Sequence, residues 1–73
     1  MEIQVIKGFN ARKPKFADGK DAGFTPLLPG NYSGELNADG DLDLTKANGE
    51  TALITVQMRQ EKVEGGFMVV IAS

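Results

Sequence analysis

The chain has 73 residues, 41% of them apolar and 25% charged, with a net charge of −2, which places it among ordinary folded proteins rather than disordered ones. It contains no cysteine and no histidine, so disulfides, thiolate metal sites, thiol nucleophiles and imidazole acid–base chemistry are removed together. A chain this short buries only about 60% of its unfolded surface, so an enclosed catalytic cleft is not expected. No apolar run of about 18 residues and no secretory leader pattern is present. The expectation is a soluble, cytoplasmic protein without enzymatic activity, cofactor, metal or membrane partner.

Residues 2–7 alternate, with Met1, Ile3 and Val5 on one face and Glu2, Gln4 and Ile6 on the other, which predicts a half-buried strand. Over about 8–25, glycine, proline and charge replace the apolar period. This predicts a long basic loop, or a two-stranded wing turning at Asp18-Gly19-Lys20. Pro26 and Pro29 are expected to break regular pairing. A second strand is predicted at 31–36, with Tyr32, Gly34 and Leu36 on one face, and a third at 41–45, with Leu42 and Leu44 opposite polar residues. Three turns share a spelling, Ala17-Asp18-Gly19, Ala38-Asp39-Gly40 and Ala47-Asn48-Gly49, and supply the positive φ angles of tight hairpins.

Further along, Ala52, Ile54, Val56 and Met58 alternate with Leu53, Thr55, Gln57 and Arg59, and no 3.6-residue period is present, so 52–59 is predicted as a strand. Gly65-Gly66 is read as a hairpin turn into a last strand at 67–72. That segment is apolar on both faces, hence central, or covered by a loop or a partner chain. The expected fold is all-β, a small antiparallel meander or barrel of about five strands, OB-like or SH3-like, in one domain spanning 1–73.

Charge is divided along the chain. Residues 1–20 carry a net +3, from Lys7, Arg12, Lys13, Lys15 and Lys20 against Glu2 and Asp18, whereas residues 21–50 carry a net −5. Single-stranded nucleic acid is bound by cations that follow the phosphates and flat rings that stack on bases, each stacked base contributing roughly 1–3 kcal/mol. The segment from Lys7 to Phe24 offers both: Lys7, Arg12, Lys13, Lys15 and Lys20 for phosphates, and Phe9, Phe16 and Phe24 for bases, with Tyr32 on the sheet as a further platform. The alternative for the rings is that they fold back and plug an open barrel end, and for the lysines that they form a solvated face.

The stretch Leu28-Pro29-Gly30-Asn31-Tyr32-Ser33-Gly34-Glu35-Leu36, then Leu44-Thr45-Lys46-Ala47-Asn48-Gly49-Glu50 and the alternating 53–59, resembles phage single-stranded DNA-binding proteins of the OB type. The resemblance covers roughly residues 28–60. The basic N-terminal segment is similar to the DNA-binding wing of filamentous-phage single-strand binders. The resemblance implies non-sequence-specific binding of single-stranded DNA, with Asp39, Asp41 and Asp43 as an acidic insertion within the matched stretch.

Two other readings stand beside this one. A small β domain with a two-sided apolar last strand can dimerise through that strand or add it to a protein partner, acting as a non-catalytic interaction or inhibitor module. The 37–48 segment resembles part of a calcium-binding loop, with oxygen side chains at alternate positions from Asn37. Leu42 stands where such a loop needs glycine and Asn48 where it needs a bidentate glutamate, and aspartate and glycine are also what hairpin turns prefer. Catalysis has little support, since Ser33 and Ser73 have no imidazole to activate them and the aspartates lie in water-exposed turns.

Overall fold

Residues 1–72 are described by the computed structural model and form strands β1 (Glu2–Val5), β2 (Phe9–Arg12), β3 (Phe24–Leu27), β4 (Gly30–Leu36), β5 (Leu42–Thr45) and β6 (Thr51–Ile54), then helix α1 (Val56–Glu64) and strand β7 (Met68–Ala72). All pairings are antiparallel, and the strand order is β3-β2-β6-β5-β4-β1-β7. The chain is thus a small all-β domain with one short helix. Among the described residues, no helix is long and apolar enough to cross a membrane.

The first four strands form one long, bent hairpin. β1 pairs with β4 from Glu2↔Ser33 to Val5↔Gly30, and β2 pairs with β3 from Phe9↔Leu27 to Arg12↔Phe24, so the register slips by one residue across the bend. Such a slip bends and twists both strands. As a result β1 lies between β4 and β7, while β2 lies between β3 and β6. The meander β4-β5-β6 then returns to β2 through Arg12↔Leu53, and the sheet curls on itself.

Period-two burial follows directly from the sequence. Ile3 and Val5, Phe9 and Ala11, Leu42 and Leu44, and Ala52 and Ile54 point inward, joined by Leu27 and Met68. Each fully buried leucine, isoleucine or methionine contributes roughly 1.5–3 kcal/mol. β4 supplies no fully buried side chain, and its Gly34 lies tight against β5. A Cβ there would overlap the Asp43 carbonyl oxygen and lie 2.8 Å from Leu44 Cβ.

Four sequence expectations are corrected by the structure. The strand predicted at 52–59 ends at Ile54, and Val56–Glu64 is helical. Thr55 caps this helix, its side-chain oxygen accepting from the Met58 N–H at 3.1 Å, and 56–64 contains no glycine or proline. The helix buries no residue completely and has only Met58 packed against the core, so the apolar period that marks an amphipathic helix never appears. Gly65-Gly66 is the end of that helix rather than a hairpin turn. Gly66 N–H donates to Val63 C=O and Phe67 N–H to Lys62 C=O, with Gly66 at φ 79°, the pattern of a Schellman cap.

The last strand is an edge strand, paired only with β1, so of the two expectations for it the central one does not hold. Pro26 does not break pairing either: it lies within β3, opposite Asn10. β3 is the other edge, where a residue without an N–H is tolerated.

Candidate nucleic-acid interface

The 8–25 segment is a wing, an arm built by β2 and β3 and extended by a closed tip. Lys13 N–H donates to Gly23 C=O at 3.0 Å, Phe16 N–H to Lys20 C=O at 3.0 Å and Gly19 N–H to Phe16 C=O at 2.8 Å. Asp18 and Asp21 side chains accept from the backbone N–H groups of Lys20 and Gly23. Gly19, at φ 83°, turns the tip where the sequence placed it.

Strand alternation sorts the arm's side chains. Arg12 and Phe24 face each other across the pair and project outward, with the guanidinium carbon 5.4 Å from the ring centroid. Phe24 is 54% exposed and Phe16, at the tip, 61%. Arg12 also pairs with Asp21 at 3.6 Å and Lys20 with Asp18 at 4.0 Å, both in solvent. Among the described residues neither Lys13 nor Lys15 is in an ion pair.

Phe9 is different: it is only 8% exposed and belongs to the core, so its ring is not a free stacking platform. It meets Phe67 edge-on at 6.4 Å and 89°. The physical reason is the alternation itself, since Phe9 and Ala11 share the inward face of β2 while Asn10 and Arg12 face out. Lys7 is exposed but lies over Phe67 at 5.9 Å, away from the arm's cations. Lys62, which sequence reading passed over, stands 4.6 Å from the Phe67 centroid and 5.3 Å from that of Phe9. No local sequence signal links these residues; the helix brings Lys62 there.

Tyr32 is half-buried on β4, and its hydroxyl donates to Leu28 C=O at 2.6 Å. It borders a groove shared with Leu28, Lys46, Ala47 and Asn48. Of the eight residues predicted to bind nucleic acid, the structure therefore gathers Arg12, Lys13, Lys15, Phe16 and Lys20 on one arm. Lys7 and Phe9 sit beside α1, and Tyr32 lies in a separate groove.

Between the arm and the 37–41 turn lies an open groove of ≈ 520 Å³, with Arg12, Lys13, Lys15 and Asp21 on one side, Asp39 and Asp41 on the other, and Leu53, Thr55, Val56 and Gln57 completing it. The basic start and acidic middle of the sequence meet here. In the turn itself, Asn37 Oδ1 accepts from the backbone N–H groups of Asp39 and Asp41 at 2.9 and 3.1 Å, an Asx turn that occupies this oxygen. Among the described residues no three acidic side chains converge as a metal site.

Behind the arm, the buried Thr25 hydroxyl donates to Glu50 Oε2 at 2.7 Å and accepts from Lys46 Nζ at 3.0 Å. The Thr25 hydrogen bond holds the Glu50 carboxyl below the ordinary glutamate value. The charges of Lys46 and Lys13 act in the same direction, and partial desolvation opposes them. Comparison of the chain with protein-family models, curated proteins and solved structures gives no match.

Proposed function

We propose that this protein is a non-catalytic module that binds single-stranded nucleic acid without sequence specificity through the arm at 9–27. The observation that carries this reading is the exposure of Phe16 and Phe24 on the same ordered arm as Arg12, Lys13, Lys15 and Lys20. Rings for bases and cations for phosphates then lie on one element. Arg12, Lys13 and Lys15 line the groove that Asp39 and Asp41 close on its far side, and in this reading the strand follows these cations along the arm to Lys20 and the exposed Phe16 and Phe24. The cysteine-free composition supports a cytoplasmic setting. The strand order, a meander β4-β5-β6 followed by a last strand returning to the first, supports SH3-like rather than OB-like closure.

The test is fluorescence anisotropy of a labelled oligothymidine. If Arg12, Lys13, Lys15 and Lys20 each neutralise one phosphate, the slope of log K against log salt is about −2.8, and affinity falls about 50-fold between about 50 and 200 mM salt. The Lys13→Ala, Lys15→Ala double variant halves that slope, so the fall becomes about sevenfold. Absence of binding at about 50 mM salt refutes the proposal and moves the function to protein interaction.

A further inference from the structure

β7 ends the strand order, so alternate backbone N–H and C=O groups along Met68–Ala72 have no strand partner among the described residues. Edge strands are normally guarded by charge, proline or brevity. β3, the other edge, has Pro26. β7 has neither charge nor proline, and its pairing with β1 is irregular only at a bulge between Val70 and Ala72: its five residues are Met-Val-Val-Ile-Ala, and Val69, Val70 and Ile71 are 39%, 43% and 53% exposed. Val70 pairs with Ile3, which is completely buried, yet stays open on its outer flank. A further strand alongside would cover it.

We infer that this strand is a self-association edge, occupied by β7 of a second copy in antiparallel register about a two-fold axis at Val70. The sequence is self-complementary in that register. Val70 meets Val70 of the second copy, Val69 meets its Ile71, and Met68 meets its Ala72, so each cross-strand pair is apolar and most are β-branched. The flanks are complementary in charge. Lys7 and Lys62 stand at the Phe67 end of the edge, and Glu2 pairs with Ala72 at the other, beside the Met1 ammonium, so antiparallel packing directs these two lysines of each copy toward Glu2 of the other. The interface is isologous and closes at two copies. It uses none of the arm's residues and stands independently of nucleic-acid binding.

The absence of native cysteine allows a direct test. At the two-fold axis the two Val70 Cα atoms approach to about 4.5–5.5 Å, within disulfide range. Val70→Cys is therefore expected to cross-link to twice the 7.8 kDa chain mass under mild oxidation, while Phe16→Cys on the arm does not. Sedimentation equilibrium of the unmodified protein is expected to give the same doubled mass. The Val69→Lys, Ile71→Lys variant changes only exposed side chains, so it keeps the wild-type circular dichroism. It should raise the dimer dissociation constant about tenfold or more, because each new lysine faces the other across the axis. A monomer mass throughout, a mass that grows past the dimer, a dimer indifferent to these lysines, or equal cross-linking at Phe16→Cys would each overturn the inference.

Discussion

Phe9 and Phe24 lie at opposite ends of the β2–β3 pair, and the structure assigns them opposite environments that truncation separates. Phe24 is 54% exposed and contacts the Arg12 guanidinium, so Phe24→Ala forfeits at most a cation–π contact of about 0.5–1 kcal/mol from the fold. If a base stacks there, the same change removes roughly 1–3 kcal/mol of binding, a loss of about 5- to 150-fold in affinity. Phe9 is buried against Phe67, and Phe9→Ala opens a cavity costing about 3–5 kcal/mol. A 73-residue domain holds only about 4–11 kcal/mol, so that loss is a large fraction of the total and lowers Tm by about 15 °C or more. Urea melts followed in parallel with oligothymidine anisotropy measure both quantities on each variant. A Phe24→Ala protein that binds as tightly as wild type, or a Phe9→Ala protein that melts with it, refutes the assignment of that ring.

Two further outcomes are expected. Gly34→Ala drives a methyl group into the Asp43 carbonyl and Leu44, forcing β4 and β5 apart. In chemical denaturation it should cost about 2–3 kcal/mol, and a loss under about 0.5 kcal/mol would mean that the strands separate without strain. Glu50 titrates below ordinary glutamate in the folded state, so its contribution to stability is present above the unfolded value and disappears as pH falls through the lowered folded value. Thr25→Val removes the leading cause, so the Glu50 carboxyl midpoint, followed by NMR, should rise. An unchanged midpoint would show that the hydroxyl does not hold the carboxylate.

Local chemistry made much of this protein legible in its sequence. Alternation in 2–7, 31–36 and 41–45 matches β1, β4 and β5, because a strand with one face on the core must repeat every two residues. The three glycine turns match as well, with Gly19, Gly40 and Gly49 all at positive φ, a backbone state in which other residues are strained. The basic wing and its turn were equally readable, and the inward position of Phe9 could have been read from the Phe9/Ala11 alternation of β2.

What the sequence could not determine depends on pairs of segments far apart in the chain. Residues 52–59 keep period two past Ile54, and only the Thr55 cap and the absence of a strand partner beyond it turn the chain into a helix. Whether 67–72 is central or an edge is decided by which strands lie beside it, a property of the sheet rather than of the segment. The same holds for the site. Lys62 reaches Phe67 and Phe9 because α1 returns across the sheet end, and Asp39 and Asp41 face Lys13 and Lys15 because the meander closes onto the arm. Composition alone removed thiol and imidazole chemistry from these 73 residues, and period-two alternation marked the segments that form strands. Tertiary structure decided which rings and charges meet, since burial and electrostatic contact depend on spatial neighbours that local sequence does not specify.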